Sequence, residues 1–254
     1  MENREITVFD NLEQLSRAAA AKFVELANFS IAANNSFAVA LAGGSTPKKL
    51  YQLLADENEL FRAQVDWRKI NFFWGDERCV APDSDESNYR MANESLLKPL
   101  GISPTNIYRF KSELDAKTAA ADYETFLRLF FNTPENSFPR FDLVLLGMGA
   151  DGHTASLFPH TDVLRDTTKL VAAPFVEKFG THRLTLTPNV INNAANVIFQ
   201  VAGADKAEAL REVLEGDAQP ETFPSQIINL LDGKIFWFLD AEAAQQLSIN
   251  RHIL

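Results

Sequence analysis

Residues 141–149 read Phe-Asp-Leu-Val-Leu-Leu-Gly-Met-Gly, an apolar run that ends in a glycine-rich loop. The apolar residues are contiguous and do not alternate with polar ones, as they would in a strand with one exposed face. Contiguous runs of this kind are typical of strands that are buried on both faces of a parallel sheet. The stretch therefore predicts an α/β protein.

Similar apolar runs recur along the chain, and segments with helical periodicity separate them. Strands are predicted at 6–9, 37–42, 70–74, 141–146, 170–173, 197–202 and 235–239, and helices at 11–33, 47–54, 88–97, 115–131 and 205–215. This alternation predicts a parallel sheet with helices on both faces. The segment 132–140 is linker-like, but a surface loop explains it equally well, so we expect one domain over residues 1–254.

The composition limits the classes of partner. The 254 residues include 24 Lys and Arg against 34 Asp and Glu, which gives a formal net charge of −10. Nucleic acids and anionic membranes require an extended basic face, so we expect neither as a partner. A small phosphate ester is not excluded, because distant exposed charges are screened and only a local basic cluster is needed.

The sequence also bears on location. No apolar run approaches the roughly 18 residues needed to span a bilayer. Residues 1–5 carry charges of both signs and lack the apolar segment of a signal peptide. The single cysteine, Cys79, excludes an intramolecular disulfide and a cysteine-rich metal site. We expect a cytoplasmic protein that acts as a monomer rather than as an obligate oligomer.

Parallel α/β sheets bind ligands beyond the carboxyl ends of their strands, so the loops there are the candidate sites. The loop after strand 37–42 begins Gly43-Gly44-Ser45 and leads into a helix with Pro47 near its start. The free N–H groups of a helix N-terminus can hold a phosphate or an oxyanion. A tight strand-to-helix turn explains the same glycines, and the segment alone does not decide between the two.

The loop after strand 70–74 contains three consecutive charged residues, Asp76, Glu77 and Arg78. Arg78 can bind a phosphate or carboxylate through its planar guanidinium. A solvated charged turn is the simpler interpretation of any one such residue. The neighbouring Cys79 is either a thiol of lowered pKa or a half-buried small hydrophobic residue, and we favour the second.

The loop after strand 141–146 matches the G-x-G-x-x-G fingerprint of dinucleotide-binding proteins at Gly147, Gly149 and Gly152. That fingerprint opens a full helix and is followed by an acidic residue about 20 positions on. Pro159 leaves room for a short helix at most, and no acidic residue is well placed. The nucleotide interpretation is therefore weak.

Asp151 and His153 place a carboxylate and an imidazole on the same turn at the end of that strand. A histidine can act as a general base near neutral pH, and a nearby carboxylate can orient it. The other histidines, His160, His182 and His252, are in less suggestive positions. There is no His-Glu-x-x-His pattern and no cysteine cluster, so we expect no catalytic metal.

Basic residues near the later strands complete the candidates. Lys178 and Arg183 flank a turn at Gly180, and Lys206 lies near the start of helix 205–215. A lysine in the first turn opposes the helix dipole unless it serves an anion bound there. Surface exposure is the alternative for each of them.

Together these segments resemble the 6-phosphogluconolactonase family. The matching segments are 41–47 (Leu-Ala-Gly-Gly-Ser-Thr-Pro), 74–80 (Trp-Gly-Asp-Glu-Arg-Cys-Val), 87–89 (Ser-Asn-Tyr), 142–149, 151–159 (Asp-Gly-His-Thr-Ala-Ser-Leu-Phe-Pro), 183–187 (Arg-Leu-Thr-Leu-Thr) and 203–207 (Gly-Ala-Asp-Lys-Ala). They follow one another over most of the chain, and the segments between 142 and 159 are the most specific. The resemblance implies a doubly wound α/β fold, as in glucosamine-6-phosphate deaminase and ribose-5-phosphate isomerase.

The resemblance also implies an activity: hydrolysis of 6-phosphogluconolactone to 6-phosphogluconate in the pentose phosphate pathway, without a cofactor. The partner is then a phosphorylated sugar lactone. We expect His153 and Asp151 to be catalytic, and the substrate-binding residues to be Gly43, Gly44, Ser45, Arg78, Gly149, Arg183 and Lys206. Arg78, Arg183 and Lys206 would hold the phosphate, and N–H groups of residues 43–45 would stabilise an oxyanion.

Two alternatives stay open at this stage. One is an amino-sugar-phosphate deaminase or isomerase, although the deaminases carry Asn-Glu-Pro shortly after their Asp-Gly-His, where this chain has Ser-Leu-Phe-Pro at 156–159. The other is a non-catalytic domain that binds a sugar phosphate.

Overall fold

A computed structural model describes residues 3–248 of the chain. His252 and both ends of the expected domain 1–254 lie outside the described residues. The strands are β1 (Arg4–Phe9), β2 (Phe37–Leu41), β3 (Ile70–Trp74), β4 (Asp76–Arg78), β5 (Leu143–Leu146), β6 (Val171–Ala172), β7 (Phe175–Val176), β8 (Thr181–Leu186), β9 (Asn196–Val201) and β10 (Lys234–Asp240). The α-helices are α1 (Leu12–Asn34), α2 (Ser45–Ala55), α3 (Leu60–Ala63), α4 (Asn88–Ala92), α5 (Lys98–Leu100), α6 (Ala116–Phe130), α7 (Pro188–Asn192) and α8 (Ala207–Glu215).

The main sheet has the strand order β1-β10-β9-β5-β2-β3, and every pairing in it is parallel. From β2 the chain moves outward to β3 and then returns to place β5 on the other side of β2. The strand order therefore reverses between β2 and β5, which is where open α/β sheets form a ligand crevice. The predicted α/β fold with a mainly parallel sheet is confirmed.

Both faces of this sheet are covered. Phe236 faces α1, since the Nζ of Lys22 lies 4.9 Å from the centre of its ring. Successive side chains of a strand point to opposite faces, so Trp237 faces away from α1. There Trp237 stacks on Phe199 at 3.8 Å, and both rings are buried. The contiguous apolar runs are explained by burial on both faces.

A smaller antiparallel sheet, which the sequence did not predict, joins β4, β8, β6 and β7. The strand predicted at 170–173 forms only over Val171–Ala172 and pairs with β8 here, so its place among the parallel strands was wrongly predicted. A parallel neighbour requires a crossover of a dozen or more residues. β6 and β7 run in the same direction along β8, and only the short turn at 177–180 separates β7 from β8, which permits only antiparallel pairing.

Two helices differ in detail from their predicted form. The helix predicted at 88–97 is α-helical over Asn88–Ala92 and continues as a π-helical turn over Asn93–Leu97. The helix predicted at 205–215 begins at Ala207, after a 3-10 turn over Ala204–Lys206. No helix within residues 3–248 is both long and apolar enough to cross a membrane.

Candidate active site

A cleft of about 330 Å³ opens at the carboxyl ends of β2 and β5, where the strand order reverses. All seven predicted substrate-binding residues line it, together with His153: Gly43, Gly44, Ser45, Arg78, Gly149, Arg183 and Lys206. Asp151 lies behind His153 and contacts its ring. The fold therefore brings together every residue that the sequence nominated for the site. The roles assigned to them stay predictions.

Asp151 connects His153 to a lysine. Its Oδ1 contacts Nδ1 of the His153 ring and accepts a hydrogen bond from the His153 backbone N–H at 3.3 Å. Its Oδ2 accepts from Nζ of Lys178 at 3.0 Å. Asp151 thus both orients the imidazole and holds the turn, and Lys178 joins the site as a residue that the sequence placed only among general basic candidates.

Charge balance keeps Asp151 ionised. Burial by itself raises the pKa of this carboxyl, but the hydrogen bonds from His153 and Lys178 outweigh that effect and hold the pKa below its usual range. Ionised Asp151 accepts a proton donor on Nδ1, so the tautomer that it favours carries its proton on Nδ1 and leaves Nε2 free.

Phe158 and Gly149 contact the imidazole ring of His153 and limit its orientation. Phe158 stacks on it with ring centres 4.1 Å apart, and Phe179 packs edge-on against Phe158 at 5.6 Å. Gly149 also lies directly against the ring, because a β-carbon there would overlap the His153 ring and lie 2.8 Å from Oδ1 of Asp151. The glycine is needed for this close approach.

We expect Gly149→Ala to lower kcat by about 100-fold, because moving a catalytic group by roughly 1 Å has an effect of that order. The fold should persist, since the added methyl group displaces a side chain at the rim of the cleft rather than the sheet. Steady-state kinetics and thermal unfolding test this. Gly75→Ala is the control, since its β-carbon would lie 3.6 Å from the nearest atom, an ordinary contact. Equal activity of the two variants would contradict the role of Gly149.

Two arginines lie side by side on adjacent strands of the smaller sheet. Arg78 of β4 and Arg183 of β8 are direct cross-strand partners, and both line the cleft. Like charges in this position destabilise a sheet. Arg183 is only 9% exposed, and burial together with the nearby charge of Arg78 lowers the pKa of its guanidinium. A bound anion would relieve this repulsion.

Lys206 adds a third positive charge. A 3-10 turn carries it, and that turn starts at Gly203, whose φ of +99° favours glycine. The N–H of Gly203 donates to both carboxylate oxygens of the buried Asp240 at 3.1 Å. Nζ of Lys206 forms an ion pair with Asp205 at 2.6 Å. Since the Asp205 side chain is 65% exposed, a phosphate in the cleft can replace it.

The N-terminus of α2 also faces the cleft. Gly44 has a φ of +103° and precedes the helix without a capping side chain, so the first N–H groups of α2 are open to a ligand. At Gly43 a β-carbon would overlap the side-chain amide of Asn88. This geometry is compatible with the anion-binding interpretation of the loop.

Asp76, Asn88 and Ser156 also line the cleft, although no role was predicted for them. Oδ2 of Asp76 accepts a hydrogen bond from Ser156 at 2.7 Å, and its Oδ1 accepts one from Asn88 at 3.2 Å. Their types were visible in the matching segments. Their contact was not, because Asp76 lies in β4, Asn88 begins α4, and Ser156 follows Asp76 by 80 residues in the chain.

Glu77 stabilises the backbone on which Asn88 of this network lies. It is 1% exposed, and its carboxylate accepts four hydrogen bonds, from the backbone N–H groups of Arg78, Asn88 and Tyr89 and from the hydroxyl of Ser87. Burial raises the pKa of Glu77, and the three N–H groups oppose that rise. These hydrogen bonds connect the end of β4, which carries Arg78, to the start of α4.

We expect Glu77→Gln to lower the free energy of unfolding by about 2–3 kcal/mol, because the new amide group would face N–H donors in a buried position. Urea unfolding measures this. The control is Glu57→Gln, whose side chain is 81% exposed in a surface pair with Arg62 and should have little effect. Equal stability of both variants would show that the four hydrogen bonds do not matter.

Cys79 is half-buried, and burial raises the pKa of its thiol. That direction disfavours the thiolate and supports the interpretation as a small hydrophobic residue. Among residues 3–248, no group of three His, Cys, Asp or Glu side chains is placed to hold a metal ion. The expectation that the reaction needs no metal or cofactor stays a prediction.

The comparisons with known proteins agree with the geometry. Residues 10–237 match the family model described as glucosamine-6-phosphate isomerases/6-phosphogluconolactonase. A 6-phosphogluconolactonase from a Nostoc species is 43% identical over 214 residues, which cover 84% of this chain and 85% of the relative. The solved structure of 6-phosphogluconolactonase from Trypanosoma brucei has a TM-score of 0.85 at 32% identity, and the match covers 96% of this chain and 99% of that one.

A monomeric glucosamine-6-phosphate deaminase shares the fold alone. Its TM-score is 0.77 at 20% identity, over 96% of this chain and 100% of the deaminase. The predicted likeness of fold to the deaminases is thus confirmed, and so is the resemblance read from the motifs. On the family model and the sequence identity of its relatives, this chain belongs to the glucosamine-6-phosphate isomerase/6-phosphogluconolactonase family.

Proposed function

We propose that this chain hydrolyses 6-phospho-D-glucono-1,5-lactone to 6-phospho-D-gluconate in the oxidative pentose phosphate pathway. The names of its relatives support the lactonase over the deaminase, since the relatives at 43% and 42% identity and the solved structure at 32% identity are named 6-phosphogluconolactonases. One observation carries the proposal. The Arg78–Arg183 pair, whose repulsion a bound anion would relieve, lies in the same cleft as the His153–Asp151 pair.

In the proposed mechanism, Nε2 of His153 takes a proton from a water molecule as the water oxygen attacks the lactone carbonyl carbon. The N–H groups of residues 43–45 stabilise the resulting oxyanion. When the intermediate collapses, the bond from the carbonyl carbon to the ring oxygen breaks, and Nε2 returns the proton to that oxygen. Asp151 keeps the ring in the required tautomer, and Lys178 holds Asp151.

Arg78, Arg183 and Lys206 bind the phosphate in this proposal. The reaction needs no cofactor or metal ion, because the histidine alone supplies the proton transfers. We further propose that the protein works in the cytoplasm as a monomer.

The test compares freshly made 6-phosphogluconolactone with unphosphorylated gluconolactone at mildly acidic pH, where spontaneous hydrolysis is slow. We expect kcat/KM to be at least about 100-fold higher for the phosphorylated lactone, because charge-assisted hydrogen bonds to the phosphate contribute roughly 1.5–3 kcal/mol each. Equal rates would refute the phosphate site. No hydrolysis of either lactone would refute the lactonase.

A further inference from the structure

Gln200 is a buried polar side chain that the mechanism above does not use. It lies near the carboxyl end of β9, in the otherwise apolar sequence Val-Ile-Phe-Gln-Val at 197–201. Its exposure is 1%, yet it lines the cleft. Neither Oε1 nor Nε2 has a hydrogen-bond partner within residues 3–248.

The position of Gln200 in the sheet places it at the floor of the cleft. Phe199 stacks on Trp237 on one face, so Gln200 points to the opposite face, which α1 and α2 cover. Beyond Gln200 the chain continues through Ala202, also at the cleft, to Lys206. The Gln200 side chain therefore borders the same cleft as the cationic residues Arg78, Arg183 and Lys206.

A buried amide without hydrogen-bond partners is unfavourable, because it gives up its hydrogen bonds to water and gains none in return. An apolar side chain in the same place would avoid this loss, as the neighbouring residues of β9 do. A ligand that hydrogen-bonds the amide explains why a glutamine occupies the position. The amide offers one acceptor and two donors, and this pattern matches a hydroxyl group, which donates and accepts.

We propose that Gln200 recognises a hydroxyl group of the sugar-phosphate ligand and so contributes to selecting a polyhydroxylated phosphate over a simple anion. The inference rests on the proposed function for the identity of the ligand. It assigns to the cleft a neutral contact in addition to the cationic cluster of Arg78, Arg183 and Lys206.

Gln200→Met tests this proposal, because methionine has a similar shape and no amide. Isothermal titration with 6-phosphogluconate and with inorganic phosphate measures binding without requiring turnover. We expect 6-phosphogluconate to bind roughly 10- to 100-fold more weakly to the variant. Inorganic phosphate, which has no sugar hydroxyl, should bind as it does to the wild type. Gln52→Met, on an exposed position of α2, is the matched control and should change neither affinity.

Unchanged affinity of Gln200→Met for 6-phosphogluconate would overturn the proposal and assign the amide to a buried water molecule. An equal loss for both ligands would also overturn it, as a general disturbance of the cleft. If the variant does not fold, the test is instead the affinity of the wild-type protein for 6-phosphogluconate analogues that each lack one hydroxyl group. One of them should bind roughly 10- to 100-fold more weakly than the parent compound, and uniform affinities would contradict the contact. Failure of the proposed function would appear separately, as absence of lactone hydrolysis by the wild type.

Discussion

His153→Ala is expected to lower kcat by about 10²- to 10⁴-fold, the usual contribution of a positioned general base. In the proposed mechanism Asp151 does not replace Nε2, because it lies behind the ring and is held by Lys178. The variant should fold normally, since His153 lies at the cleft surface and its loss removes the stacking on Phe158 and the contact of Nδ1 with Asp151, but no contact of the main sheet. Stopped-flow or pH-stat kinetics with fresh lactone, together with thermal unfolding, provides the measurement.

His160→Asn is the matched control for this variant. His160 has a φ of +61°, which asparagine tolerates, and it lies outside the cleft. We expect its kcat to stay close to that of the wild type. Near-normal turnover by His153→Ala, with the fold intact, would remove His153 from the mechanism.

The ionisation of Asp151 bears on how the activity depends on pH. Because the pKa of Asp151 lies below its usual range, Asp151 remains ionised as the pH falls through the range in which free carboxyl groups take up protons. Any loss of activity on the acidic side must therefore come from a group other than Asp151. Asp151→Asn should preserve an acidic limb in the pH profile of kcat/KM while lowering its plateau. Disappearance of that limb would mean that Asp151 itself titrates.

Arg183→Met is expected to raise KM for the phosphorylated lactone by about 100-fold, with a smaller change in kcat. Its guanidinium is almost buried beside Arg78, and a charge-assisted hydrogen bond there contributes roughly 1.5–3 kcal/mol. A phosphate contact that is equal in the ground and transition states affects KM rather than kcat. The variant should be at least as stable as the wild type, since it removes a buried charge that faces another of the same sign.

The unphosphorylated lactone distinguishes a phosphate contact from a general disturbance of the site. Arg183→Met should hydrolyse it about as fast as the wild type. Arg68→Met, whose side chain is 89% exposed in a surface pair with Asp66, is the control and should change neither substrate's kinetics. If Arg183→Met lost activity equally on both lactones, Arg183 would have to be a structural residue of the cleft.

Much of this architecture follows from local sequence. The run at 141–146 is apolar throughout apart from Asp142, and Asp142 also has a structural place, since its carboxylate accepts from the N–H of Ala38 at 2.7 Å and from Ser30 at 2.8 Å. The strands that are buried on both faces were predicted because burial leaves a continuous apolar signature. The small sheet escaped prediction because three of its four strands are only two or three residues long and because β4 pairs with β8, which is far away in the chain.

By itself the sequence determined the class of fold, the strand-end loops and the residue types that can bind a phosphate or move a proton. These depend on hydrophobic periodicity and on glycines, which act over a few residues. Only the tertiary structure decided which loops meet. The strand order places the loops after β2 and β5 beside each other, and the antiparallel register of β4 and β8 sets Arg78 against Arg183. The contact of Lys178 with Asp151 and the unpaired amide of Gln200 at the cleft floor likewise depend on pairings between residues far apart in the chain, which local composition does not encode.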